Sequence, residues 1–304
     1  MIIYIKEHPS GAGKWIYKGY ESAWRHLGFE VRLYSDLLGI EDKGCSVMAI
    51  DHDIKSERHL EVLKRAKHTY LYVQPNSFPH PWGKHPNFVS QVPFSLLTQI
   101  NETQNIYKWS FAETAKSEFY SDWDQVEYLP LAFDSINYKE LNSEDYAFDV
   151  CYIGGWADNG FNEKRKIILD YLSVFKQTNL RCGFAINRGV SHEQENIMLS
   201  TSKVAINIHD AYQHALGLDT NERTFKSLGL CGILVSDSVE CLKGLFPNVP
   251  LATNPKEMLK ITKEICEQPN SLLLEAKAKN RENILSKHTY IERVETMLSL
   301  NNEP

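Results

Sequence analysis

The chain has 304 residues, 42 % hydrophobic and 24 % charged, enough apolar material for a core in each of two ordinary domains and too much for a disordered protein. A formal net charge of −6 and a pI near 6.0 argue against a nucleic-acid surface built on a general basic excess, so any such partner would have to meet a local patch. No apolar run approaches the roughly 18 residues of a membrane span, and the opening MIIYI is too short for a secretory leader, so the expectation is a cytoplasmic protein.

The first half alternates short apolar runs with helical spacing. Ile2 to Ile5 reads as a buried strand. A helix follows over 14–27, with Trp15, Tyr20, Ala23, Trp24 and Leu27 as its apolar face. Strands are expected over 29–34, 46–50 and 69–73, with a helix over 56–66, which is the rhythm of a parallel sheet. Residues 74–95 hold five prolines and cannot form one regular element. Strands over 107–111 and 126–131 close this half, and the polar stretch 132–147 reads as a linker.

The second half repeats the rhythm. Strands are expected over 148–153, 180–186, 204–208, 233–236 and 250–253. Helices are expected over 163–175, 192–200, 222–230 and 239–245, with Pro255 opening another, and 271–298 forms a long closing helical region. The division is an N-terminal domain over 1–140 and a C-terminal domain over 141–304, the final helix being free to pack back on the first. The six cysteines form no CxxC pair and read as reduced core residues.

The segment 206–236 is the most informative. A strand ends near His209 and Asp210, a polar loop follows, and Asn221 stands where a helix cap belongs. Free amides at Glu222, Arg223 and Thr224 suit a phosphate, and the Arg223 guanidinium suits a diphosphate. An ordinary capped helix with a surface ion pair fits the same residues. Gly154 and Gly155, at a strand end, would let backbone approach donor phosphates, or simply make a tight turn. Arg188 is a second diphosphate candidate, and His209 could touch the transferred sugar.

In the first half, Gly11 and Gly13 lie in a turn that lacks the spacing of a phosphate-binding P-loop but could approach the donor. Candidate catalytic groups are His8, Asp51 and His52, since an acceptor hydroxyl needs a base to take its proton. His80, Trp82 and His85, in the proline-rich stretch, are candidates on the acceptor side.

Three separated motifs resemble one family. The stretch Arg223-Thr224-Phe225 through Gly232, with the strand ILVSD after it, resembles the donor-binding segment of GT-B glycosyltransferases of the CgeB type. So do Cys151 to Trp156 with Lys164-Arg165, and the closing RENILSKHTYIER of 281–293. The resemblance covers about residues 148–298. It implies an α/β fold of two doubly wound, Rossmann-like domains facing a central cleft. It also implies transfer of a sugar from a nucleoside diphosphate sugar to a glycan, polysaccharide or small-molecule hydroxyl, with no cofactor and no metal. A sugar-nucleotide epimerase, a phage-type DNA-base glycosyltransferase or a non-catalytic sugar-binding protein are the other readings of such a fold. The chain departs from related retaining enzymes at Lys226, where they carry a ribose-binding glutamate, because a charged lysine cannot accept a hydrogen bond.

Overall fold

The computed structural model describes residues 1–9, 11–75, 92–115, 117–156 and 163–302. It divides into two compact units, Met1–Leu131 with Tyr290–Pro304, and Ala132–Thr289. His80, Trp82 and His85 lie outside the described residues.

The first unit runs β1 (Ile2–Lys6), α1 (Gly11–His26), β2 (Glu30–Tyr34), β3 (Ser46–Ile50), α2 (Glu57–Arg65), β4 (His68–Tyr72), α3 (Phe94–Glu102), β5 (Ile106–Ser110) and β6 (Glu127–Tyr128). The strands form one sheet in the order β2-β1-β3-β4-β5-β6, with every pairing parallel. β3 is apolar after its first residue and buried at every position, as a strand covered on both faces must be. On α1 the buried stripe is Ile16, Tyr17, Tyr20, Ala23 and Trp24. Trp15, expected on that face, is 37 % exposed, because the stripe at 16, 20 and 23 turns it outward. α3 adds a helix to the expected elements. It starts directly after Pro93, and its buried Leu96, Leu97 and Ile100 have helical spacing too short to stand out beside the proline-rich stretch.

The second unit runs β7 (Val150–Gly154), α4 (Glu163–Ser173), β8 (Cys182–Ile186), α5 (His192–Thr201), β9 (Val204–Asn207), α6 (Ala211–Leu216), α7 (Glu222–Leu230), β10 (Leu234–Asp237), α8 (Glu240–Leu245), β11 (Leu251–Ala252), α9 (Pro255–Cys266) and α10 (Asn270–Lys287). Its sheet is also wholly parallel, in the order β11-β10-β9-β7-β8. α6 occupies what reads in the sequence as a polar loop. Asp210 and Gln213 box its N-terminus, and Gly217 closes it at φ 64°. The stretch 132–147, expected as a linker, carries buried Phe133 and Tyr138 and belongs to this unit. Phe133 lies against Gly229 of α7, where a Cβ would come within 2.7 Å of its ring.

The closing helical region is broken. α10 ends at Lys287, and His288 leaves helical geometry with φ −133° and ψ 41°. Thr289 then bridges to Phe133, whose N–H donates to the His288 carbonyl at 2.8 Å. The final helix α11 (Tyr290–Ser299) packs within the first unit. The Tyr290 ring stands 4.7 Å from that of Tyr20 and fills the space a Cβ on Gly19 would need. Arg293 donates from Nε to the Pro130 carbonyl at 2.7 Å. No helix among the described residues is long and apolar enough to cross a membrane.

Candidate active site

Open parallel sheets bind ligands beyond the carboxyl ends of their strands, at the point where the strand order reverses. In the second unit that point lies between β7 and β9, because the chain goes from β7 out to β8 and then returns to the other side of β7. Arg223 of α7 sits there. Its Nε donates to the Ile153 carbonyl at the end of β7, 2.6 Å away. Its Nη1 donates to the Ile208 carbonyl and to Asn207 Oδ1 at the end of β9, both at 3.2 Å. The guanidinium carbon also lies 4.9 Å from the Tyr152 ring centre. These acceptors are neutral, and no carboxylate bridges Arg223 among the described residues, although its charge acts on the adjacent Glu222.

The neighbouring residues explain how it is held. Asn221 caps α7 through the Thr224 N–H, 3.2 Å away, and its own Nδ2 donates to the Ile208 carbonyl. The amides of Glu222 and Arg223, at the first turn, have no intrahelical acceptor by the geometry of any helix start. Gly154 leaves room for the guanidinium itself, since a Cβ there would lie 2.2 Å from Arg223 Nη2. Gly155 leaves room for Asn187, a left-handed residue at φ 50° whose Oδ1 accepts from the Trp156 N–H at 2.9 Å. In the sequence both glycines read either as approach points for donor phosphates or as a tight turn. Side chains of this unit fill that space, and the absence of a Cβ serves Arg223 and Asn187.

His209 is corrected in the same way. It is wholly buried, with Nδ1 2.6 Å from Asp237 and Nε2 2.7 Å from Thr220, so neither ring nitrogen is left to touch a sugar. The Thr224 hydroxyl is likewise buried, within 2.6 Å of the Thr220 hydroxyl. Glu222 turns toward Lys226, 3.5 Å away. Arg188 is exposed in the loop after β8 with no side-chain partner among the described residues.

Several residues of the site escape a sequence reading because their partners come from distant elements. Lys164 of α4 pairs with Asp210 at 2.8 Å, and burial lowers its pKa. Asp237, at the end of β10, accepts from His209 and from His214 of α6. Burial alone would raise its pKa, but the two histidines outweigh that and hold it well below the usual carboxylate range. The hydrogen bond to Asp237 raises the His214 pKa in turn. Burial pushes the Asp219 pKa up to about 7. Lys226, in the place of the ribose-binding glutamate, lies 2.8 Å from Glu195. Burial works against its charge, but Glu222 and Glu195 raise its pKa above the ordinary lysine value.

The first unit has its own reversal point, between β1 and β3. His8 follows the first of these strands and Asp51 the second. Asp51 is fully buried. Its Oδ2 accepts from the Gln74 N–H at 3.0 Å, while Oδ1 has no hydrogen-bond partner among the described residues. His52 is half-exposed, 3.7 Å from Asp51 Oδ1. The His8 ring stacks on Tyr17 at 4.2 Å, its Nε2 is buried without a partner among the described residues, and Gly13 leaves the space beside its Nδ1. Burial, then the nearby Lys6, lowers the His8 pKa and favours the neutral imidazole. The Tyr17 hydroxyl is also buried and unpartnered, its pKa raised well above normal by burial, with Asp53 and Asp51 adding to it. Gly11 starts α1 at φ 67°. Buried polar atoms usually find a partner, and among the described residues His8 Nε2, Asp51 Oδ1 and the Tyr17 hydroxyl have none.

A family model described as glycosyl transferase-like matches residues 146–299, just over half of the chain. The chain belongs to the glycosyl transferase-like family. Among solved structures, this glycosyl transferase-like chain is similar to a mutant of S. aureus TarM in complex with fondaparinux, alpha-GlcNAc-glycerol and UDP. The TM-score is 0.55 at 12 % identity over 85 % of this chain, which spans 55 % of that one. T4 phage BGT with its UDP-glucose substrate gives 0.54 at 12 % identity, covering 94 % of this chain and 95 % of that one. An alpha-glucosyltransferase with UDP and a 13-mer DNA containing an HMU base gives 0.56 at 12 % identity, covering the whole of both. No curated protein sequence matches significantly. At such identities the likeness speaks for the fold, which is GT-B: two parallel α/β sheets in one glycosyl transferase-like chain.

Proposed function

We propose that this protein transfers a sugar from a nucleoside diphosphate sugar to an acceptor hydroxyl, binding the donor diphosphate on its second unit. The observation that carries this is Arg223. A permanently charged fork is fixed at the reversal point of the sheet by three neutral acceptors, beside the first-turn amides of a nine-residue helix. That arrangement meets the negative charge that grows on a leaving diphosphate as the glycosidic bond breaks. Arg188, exposed in the neighbouring loop, is the second cation of the reading. No metal is required, because these cations supply the charge. The segments around 151–165, 223–237 and 281–293 support placement near the CgeB type.

Acceptor activation falls to the first unit. His8, held neutral, and Asp51, with one free carboxylate oxygen, are the groups suited to take the hydroxyl proton. His52 is more exposed and less fixed. The test is calorimetric titration of UDP, GDP and ADP, and of their sugar conjugates. At least one should bind, and Arg223→Ala should abolish binding while His8→Asn and Asp51→Asn leave it in place and lower turnover. Failure of every nucleotide to bind, or binding indifferent to Arg223, refutes the reading.

A second reading concerns the acceptor alone. Similarity over 94–100 % of both chains to a DNA-modifying beta-glucosyltransferase and to an alpha-glucosyltransferase in complex with DNA containing an HMU base favours a nucleic-acid acceptor, whereas the net charge of −6 argues against it. Gel-shift measurements at low salt with duplexes containing and lacking an HMU base decide between them.

A further inference from the structure

We propose that Asp237 is a positioning residue for Arg223, acting through an unbroken file of buried hydrogen bonds. The proposal rests on the reading of Arg223 as the diphosphate-binding group.

The direction of the file follows from its two ends. A guanidinium has donors only, so the Asn207 oxygen must face Arg223 Nη1, 3.2 Å away. The Asn207 amide nitrogen therefore faces the other way, 2.9 Å from Thr224 Oγ1, 3.3 Å from His209 Nε2 and 3.4 Å from Ser236 Oγ. The Asp237 carboxylate only accepts, so the ring hydrogen belongs on Nδ1, where it meets Asp237 Oδ1 at 2.6 Å, and in the neutral ring Nε2 is then an acceptor that the Asn207 amide can face. With Nε2 an acceptor, the Thr220 hydroxyl 2.7 Å away must donate to it, and so accepts from the Thr224 hydroxyl at 2.6 Å. The order is Asn207 to Thr224 to Thr220 to His209 to Asp237, each donating to the next.

Asp237 fixes this order because an ionised carboxylate only accepts. Besides the ring it takes the His209 backbone N–H at 2.8 Å, His214 Nε2 at 2.9 Å and the Ser236 hydroxyl at 3.3 Å. Asn207, His209, Thr224 and Asp237 are fully buried and Thr220 is 3 % exposed, so no solvent competes for these groups. Reversing the His209 ring turns Nε2 from an acceptor into a donor toward the Thr220 hydroxyl and the Asn207 amide, and turning the Asn207 amide relieves that contact. That would present an N–H to Arg223 in place of an acceptor and release the guanidinium from one of its supports.

An asparagine at 237 can cause that reversal, because its amide can donate to His209 Nδ1 and drive the ring hydrogen to Nε2. Asp237→Asn should therefore weaken binding of the diphosphate about 10- to 100-fold, the loss typical of one hydrogen bond to a charged group. The experiment has two arms. The first is titration of UDP, GDP and ADP into wild type, Asp237→Asn, Thr220→Val, Thr220→Ser and Arg223→Lys. Val should weaken binding and Ser should restore it, a rescue that mere filling of space would not give. The second is 15N histidine NMR without ligand. His209 should carry its hydrogen on Nδ1 in wild type and on Nε2 in Asp237→Asn, and the Arg223 side-chain resonances should shift with it. If Asp237→Asn does not fold, the Thr220 pair decides. Wild-type binding with Arg223→Lys impaired but both Asp237→Asn and Thr220→Val unaffected overturns the proposal and leaves the functional reading intact. If no diphosphate binds wild type, the functional reading falls, and the file is judged by NMR: an Nε2–H ring in wild type, or unmoved Arg223 resonances in Asp237→Asn, overturns it.

Discussion

Replacing Gly154 with alanine tests how firmly Arg223 is held. The added methyl would sit 2.2 Å from Nη2, 2.7 Å from Cζ and 2.9 Å from the Tyr152 hydroxyl. Against the free end of a mobile side chain such contacts would cost little, because the end would swing away. Here the guanidinium is tied to Ile153, Ile208 and Asn207, so moving it forfeits hydrogen bonds to a charged group worth roughly 1.5–3 kcal/mol each. Keeping it in place instead imposes overpacking of about 1–3 kcal/mol. The cheaper route sets the loss, so Gly154→Ala should lose about 1–3 kcal/mol, a drop in Tm of roughly 2–12 °C at the scale of a unit this size. Nucleotide affinity should fall with it. Thermal and urea denaturation of Gly154→Ala in the wild-type and Arg223→Ala backgrounds give the assay. Most of the penalty should vanish once Arg223 is gone. Equal penalties in the two backgrounds would show that the glycine answers to the strand turn or to Tyr152, and that Arg223 is not fixed as described.

Lys226→Met should cost about 3–5 kcal/mol in urea denaturation, because it strands the Glu195 and Glu222 carboxylates that the ammonium now pairs. Asp219 has its native pKa raised to about 7, so its contribution to stability is present at low pH and is lost as pH rises from the unfolded value near 4 through the native one. Asp219→Asn should therefore flatten the stability profile between about pH 4 and 7 and leave the variant more stable than wild type at pH 8. His214 is raised by Asp237, so its stabilising share is complete below the ordinary histidine pKa of about 6.5 and fades as pH climbs past its higher native value. His214→Gln should remove that alkaline decline, read by Tm against pH. Gly19→Ala should lose about 1–3 kcal/mol, since its methyl would lie 2.3 Å from the Tyr290 ring.

What the sequence discloses here depends on whether a signal is local. β3 and β9 are short apolar runs, and α7 begins at an asparagine cap, so their positions follow from neighbours along the chain. α6 has six residues and a cap box that only Asp210 and Gln213 announce, and it passes for a loop. The break after α10 has no glycine or proline to mark it. It is made by Phe133, more than 150 residues earlier, bridging to Thr289. The same limit governs the site. Arg223 shows itself because its helix start is local. Asp237 reads as the end of a strand until His209 and His214 meet it from β9 and α6. The glycines at 154 and 155 are visible, but the side chains they accommodate are not.

The placement of α11 bears on biosynthesis. The first unit recruits Tyr290–Ser299 to complete its packing around Gly19 and Tyr20, yet the whole second unit is translated in between. Domains usually fold as units during synthesis, N-terminal first. Here the lobe that emerges earliest from the ribosome is the one that must wait. Until the last helix arrives, the aromatic surface of α1 is open to chaperones, and the second lobe can finish folding before the first.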